Sequence, residues 1–206
     1  MFPITQICRA DTCEAIDLEI SLPEELATLD HAVNNGDLSG RKDVTVRLTA
    51  DIDLTGFRWV PIGFGDSEFA GVFDGCGHTV RGMTLQKDGP GNYGLFGAVS
   101  GTVQNLTVAG EIRNVTGDPH SAVGGIVGEL SGGAVRNCAG EFTVDGGGEP
   151  LGLFAGGVAG AAEKGLMQNC RAAVRMENIR AGVLVLAALA AGIVLGSMAH
   201  HGKEVD

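Results

Sequence analysis

The chain has 206 residues, enough for one domain with a sizeable core or for a short run of stacked repeats. With 44% hydrophobic and 19% charged residues it is not a disordered chain, and six prolines without a G-X-Y period exclude collagen. A net charge of −11 without any Lys/Arg cluster excludes nucleic acid as a partner, because phosphate binding needs a basic stripe.

Glycine stands out at 34 residues, more than twice its usual share of roughly 7%. Scattered among short Val/Ile/Leu/Phe runs, it predicts many tight turns between short buried strands. Residues 1–15 read as a leader. Met1 to Ile20 lacks the basic start and apolar stretch of a secretory signal, so either export does not use that route or Met1 is not the native start.

Residues 16–178 read as the body of the chain. Ser21-Leu22-Pro23-Glu24 has the form of a capping box, with Ser21 as N-cap and Glu24 three residues on. Leu26, Leu29 and Val33 follow at helical spacing and Asn35-Gly36 supplies a stop, which predicts an amphipathic helix over about 21–35. Val44-Thr45-Val46-Arg47-Leu48 alternates as a strand. A helix placed before the first rung would cap the open end of a stack of strands.

The repeat lies at about 92–172. Tyr93-Gly94-Leu95-Phe96-Gly97, Gly124-Gly125-Ile126-Val127-Gly128 and Gly156-Gly157-Val158-Ala159-Gly160 are each followed by a G-x-x-x-N segment, with asparagine at 105, 137 and 169. Both asparagine intervals are 32 residues, and the first glycines at 94, 125 and 157 keep nearly the same phase. Two landmarks in step over three copies predict an all-β solenoid whose units bury their apolar residues only by stacking. Glycine and asparagine are expected at its corners, Gly97, Gly128 and Gly160 among them. Leu106, Cys138 and Cys170 then form one inward ladder at about 4.8 Å per rung. An unreacted core ladder is favoured over a Cys138–Cys170 disulfide, although adjacent rungs bring the two Cα atoms near bridging distance. Five cysteines without a C-x-x-C pair, and histidines away from zinc-finger spacing, describe neither a zinc site nor a disulfide scaffold.

The G-L-F-G and G-G-I-V-G segments followed by G-x-V-x-N-C resemble the GLUG motif of bacterial surface proteins and secreted IgA-cleaving metallopeptidases. The preceding stretch is also similar to the lead-in of that family, through Glu24-Glu25-Leu26-Ala27, Leu48 to Leu54, Trp59-Val60-Pro61-Ile62-Gly63 and Phe69 to Val80. The resemblance covers roughly residues 16–172. It implies a right-handed parallel β-helix, an extracytoplasmic location and an adhesin-like role. Cys76 departs from the family pattern, which has Asn in F-D-G-N-G-H, and puts the geometry of that corner in question.

Residues 181–199 are uncharged and almost wholly apolar, and as a helix would span about 28 Å, close to a bilayer core. Ala188, Gly192 and Gly196 lie four apart, a small-residue face suited to self-association. A membrane helix is expected here; the alternative is a degenerate last rung or packed terminal helix, since Ala190 to Gly196 faintly echoes G-G-I-V-G. Arg171, Arg175 and Arg180 on the near side would face the cytoplasm, which opposes the location implied by the resemblance. Residues 200–206 form a polar tail.

No catalytic constellation is visible. H-E-x-x-H is absent, so the peptidase activity of some GLUG-containing proteins does not carry over. His31, His200 and His201 read as solvated, and His78 as part of a turn. No G-K-[ST] follows the G-x-x-G segments, so no phosphate loop forms. Asn105-Leu106-Thr107 and Asn114-Val115-Thr116 match glycosylation acceptors, a triplet common by chance. Asp51, Asp53 and Asp74 are the best carboxylate candidates, because β-helix lyases and hydrolases pair carboxylates, or bind calcium, on one outer strand face. The more economical reading is that Asp51 and Asp53 flank an inward Ile52 and decorate the exterior. The expectation is a non-catalytic surface module with no catalytic, cofactor or metal residues, binding an extracellular protein or glycan through loops such as Gly117–His120 and Asp145–Pro150. The alternatives are a carbohydrate-active enzyme on the same scaffold and an assembly component.

Overall fold

The structure is a computed structural model, and it describes residues 15–86, 89–113, 121–145 and 154–177. Every strand pairing among them is parallel, and the described chain is a β-solenoid of about five turns with one short helix. Each turn begins with a short strand and leads into a second one, through a Cys-Gly corner at 76–77 and an asparagine corner at 105, 137 and 169 in the last four turns. The pairs are β2 (Val44–Leu48) with β3 (Ile52–Asp53), β4 (Val72–Asp74) with β5 (Thr79–Gln86), β8 (Thr102–Gln104) with β9 (Thr107–Arg113), β12 (Ala134–Arg136) with β13 (Ala139–Asp145), and β16 (Leu166–Gln168) with β17 (Arg171–Glu177). First strands stack into a six-stranded sheet that also includes β1 (Ile16–Ile20), in the order β1-β2-β4-β8-β12-β16. Second strands stack into a five-stranded sheet.

Two three-stranded sheets complete the cross-section. One contains β6 (Asn92–Tyr93), β10 (Ala122–Gly124) and β14 (Phe154–Gly156); the other contains β7 (Phe96–Val99), β11 (Val127–Leu130) and β15 (Ala159–Ala162). The repeat period is therefore the length of one turn: Thr102 faces Ala134 and Ala134 faces Leu166, each 32 residues on. Stacking in register lines up inward columns such as Val46–Phe73–Val103–Val135, all fully buried. Phe69, Phe73 and Phe96 pack ring against ring at centroid distances of 5.1–6.5 Å. Burial of each such ring is worth about 2–3 kcal/mol, which no single turn achieves alone.

The helix α1 (Pro23–Asn34) buries Leu26, Leu29 and Val33, as the spacing predicts, and Gly36 ends it at φ +93° with its amide on Val33 O. Its start lies one residue later than the sequence pattern indicates. Pro23 occupies the first helical position and moves the cap to Leu22, so Glu25 takes the role expected of Glu24. The Glu25 carboxylate accepts from Ser21 N at 2.7 Å and Leu22 N at 3.1 Å. Nor is the helix the first element. β1 precedes it and forms the outermost strand of the six-stranded sheet, pairing along its length with β2.

Gly97, Gly128 and Gly160 lie within strands β7, β11 and β15, not at positive-φ corners. Their role is close approach. A Cβ at these positions would stand 2.4 Å from Gly63 O, 2.6 Å from Tyr93 N and 2.5 Å from Val123 N. The two small sheets meet backbone to backbone, and only glycine leaves room there. The corners are held by asparagine instead: Asn105, Asn137 and Asn169 take φ of 53°, 53° and 54°. Leu106, Cys138 and Cys170 follow them as buried residues on successive turns, the cysteines as free thiols.

Candidate functional site

The three candidate carboxylates gather at the corner between the six- and five-stranded sheets, on the first two turns. Asp51 precedes β3. One of its oxygens accepts from Thr79 N at 3.0 Å and lies 3.2 Å from His78 Nδ1 on the next turn. The Thr79 amide and then His78 hold its carboxyl below the usual range. Asp53 accepts from Thr55 N at 3.0 Å and from Arg81 Nε at 3.1 Å, and these partners, Thr55 first, lower it to about 2.

Asp74 ends β4 and is fully engaged. Its Oδ1 accepts from Cys76 N at 2.8 Å and Asn105 Nδ2 at 2.9 Å, and its Oδ2 from Gln104 Nε2 at 2.8 Å. Burial pushes this carboxyl up, but the hydrogen bonds from Asn105, Cys76 and Gln104 outweigh it and the net direction is down. Asn137 donates to Asn105 Oδ1 at 3.1 Å and Asn169 to Asn137 Oδ1 at 3.2 Å, so the corner continues as a ladder of side-chain amides. The Asn105 amide, a glycosylation match in the sequence, is thus an internal rung of the ladder.

Cys76 keeps the corner geometry that its departure from the family pattern called into question. Cys76 and Gly77 have φ of 51° and 85°, and His78 N donates to Gly75 O at 2.8 Å, which closes a tight turn of the mirror-image type. Asn normally fills this position; here the thiol is exposed and the turn is supported by the Cys76 amide on Asp74.

Chemically, the corner holds carboxylates that stay ionised and are spent on tying one turn to the next. Acid/base glycoside chemistry needs a second carboxyl held up in its protonated form. A carboxyl that is pushed up exists, but elsewhere: Asp30 on α1 is 6% exposed, and burial raises it to about 6 against the opposing charge of His31. It accepts from Asn34 Nδ2. Asn34 in turn accepts from Gly63 N and Phe64 N, both at 2.8 Å, and donates to Pro61 O at 3.0 Å. This clasp fastens the end of the helix to the loop ahead of β4. Its sequence signal was an Asp and an Asn four apart on one helical face.

Among the described residues, no three His, Cys, Asp or Glu side chains converge on a metal position. The large apolar side chains exposed among them are Leu22, Val60 and Leu166, none of them aromatic. His31 is exposed on the helix. Gly117–His120, residues 146–150, Asn114, His200, His201 and the apolar 181–199 segment with Ala188, Gly192 and Gly196 lie outside the described residues. No described helix is long and apolar enough to cross a membrane.

No protein-family model matches the chain. It is 33% identical over 147 residues to halomucin of Haloquadratum walsbyi, covering 64% of this chain and 2% of that protein. It is 37% identical over 90 residues to a protein of Evansella cellulosilytica with the provisional name Gly-rich membrane protein, covering 42% of this chain and 10% of that one. The chain thus spans a small part of the length of the relatives it matches. A solved structure from Bacteroides ovatus, provisionally named an immunoglobulin A1 protease, aligns over 86% of this chain and 82% of its own at 16% identity and a TM-score of 0.39, below the level at which two folds are the same.

Proposed function

We propose that this region is a non-catalytic, GLUG-type module of an extracytoplasmic bacterial protein, a right-handed β-helix that acts as a stiff spacer and presents its outer faces to a protein partner. One observation carries the reading: all three candidate carboxylates are hydrogen-bonded across adjacent turns, which supports a structural role for them. The GLUG assignment is supported by the motif itself, whose asparagines fall at one repeated corner and whose glycines fall where the two small sheets touch. A protein ligand is favoured over a glycan because the exposed apolar side chains among the described residues are aliphatic and offer no ring to stack on a sugar.

The membrane in the name of the Evansella relative supports the extracytoplasmic placement. Two experiments test the reading. Incubation with a panel of acidic and neutral polysaccharides should release neither unsaturated products nor new reducing ends; release that disappears in Asp53→Asn would establish the enzyme reading instead. Protease treatment of intact cells producing the protein should liberate solenoid peptides, and complete protection would refute the extracytoplasmic placement.

A further inference from the structure

We infer that Cys138 and Cys170 are an oxidisable pair that closes into a disulfide joining the fourth and fifth turns. They occupy equivalent places on successive turns. Each follows a left-handed asparagine, and Arg171 N donates to Cys138 O at 3.0 Å. The Cys138 thiol lies 3.1 Å from Arg136 O and 3.8 Å from Val103 O; the Cys170 thiol makes the matching contacts one turn on, 3.4 Å from Gln168 O and 3.4 Å from Val135 O. Equivalent positions on neighbouring rungs put the two Cα atoms about 4.8 Å apart, inside the span of about 4.4–6.8 Å that a disulfide bridges. Each sulfur is held only by weak contacts, to carbonyls and to the other thiol, so the χ1 adjustment that joins the two breaks little.

The surroundings leave this pairing and no other among the described cysteines. Leu106 fills the intervening rung between Cys138 and the corner of Cys76, whose thiol is on the exterior. Access is one-sided. Cys138 is 1% exposed; Cys170 is 6% exposed, beside Met167, Ala172 and Val174, which are only partly covered at the last described turn. Cys138 is the more deeply buried and burial pushes its thiol up, so Cys170 is the sulfur that ionises more readily and that a reagent reaches first.

With a small-molecule disulfide as oxidant, the Cys170 thiolate attacks one of its sulfurs, forming a mixed disulfide and releasing one thiolate. Cys138 then gives up its proton and attacks Cys170 Sγ, displacing the second. Two protein thiols lose two protons and two electrons, and one disulfide is reduced to two thiols. The bond closes a 32-residue loop, from 138 to 170, and pins the last described turn to the one before it.

Differential alkylation of the full chain tests this without a mutation. After treatment with oxidised glutathione, unfolding and alkylation, the peptides containing Cys138 and Cys170 should be found joined, about 2 Da lighter than their sum, and reduction should separate them. Hydrogen exchange of β14–β17 should slow by about tenfold or more in the oxidised form. Cys138→Ser should abolish the joined peptide, whereas Cys76→Ser should leave it intact. Free thiols at both positions after oxidation, a glutathione adduct that persists on Cys170, or a bond from either to another cysteine would each overturn the inference.

Discussion

Four non-glycine residues have left-handed backbone among those described, and three are asparagines at one corner; the fourth is Cys76. Asparagine tolerates this region because its short amide bonds locally, whereas most residues with a Cβ bear a cost of roughly 1 kcal/mol. Cys76→Asn should therefore raise stability by about 0.5–1 kcal/mol, read as a higher melting temperature, and a decrease would show that the thiol packs favourably. At Asn137 the conformation and the ladder are both at stake and can be separated. Asn137→Gly keeps the backbone and loses the two amide hydrogen bonds; Asn137→Ala loses both and should be the less stable by about 1 kcal/mol in urea unfolding. Asp30 has a pH signature. Burial lifts its folded pKa to about 6, above the ordinary 3.8, so its neutral form is favoured in the folded protein. Stability on its account is full below about pH 4 and is lost as pH rises to 6, by up to about 3 kcal/mol. Asp30→Asn keeps an acceptor for Asn34 and should melt higher than the parent at pH 7.5 but level with it at pH 4.

At the level of elements, the sequence showed most where a period was long and least where one residue shifted a boundary. The strand over Val44–Leu48 and the helical face of Leu26, Leu29 and Val33 are both present. The Ile16–Ile20 strand carries the same alternation, Ile-Asp-Leu-Glu-Ile, yet it stands apart from the repeat and its pairing partner begins 28 residues later, beyond the reach of a local pattern. The helix start moved by one residue because proline's fixed φ suits the first helical position better than the position before it. For the glycines, composition revealed that backbone must come close to something; only the packed structure shows that it is other backbone. Gly128→Ala should accordingly cost about 2–4 kcal/mol, since its Cβ would meet the Tyr93 and Asn92 backbone, which cannot yield as a side chain would. Gly132→Ala, whose nearest neighbour is 3.7 Å away, should change stability by no more than about 0.5 kcal/mol and serves as the control in the same denaturation series.

Over the whole molecule, contacts run almost entirely between one turn and the next, so stability is close to a sum along the stack. Val103 and Val135 are fully covered, while Met167, next in the same column, is partly open. Amides of β16 should exchange at least about tenfold faster than those of β12, and equal protection would show that residues beyond 177 cover the last turn. The candidate site was legible only in part. Asp51, Asp53 and Asp74 could be named from the sequence, but the partners that tie them to the next turn lie 27 to 31 residues away, and no motif announces such a distance.

The amide ladder also has a direction. Each asparagine donates to the residue one turn earlier, Asn169 to Asn137, Asn137 to Asn105 and Asn105 to Asp74. A carboxylate accepts but cannot pass a hydrogen on, so Asp74 marks the origin of the series. Any duplicated 32-residue unit inserted after it arrives with both halves of the joint, a donor for the unit behind and an acceptor for the unit ahead. Such a protein can change its length in whole modules during evolution without redesigning a single contact at the splice.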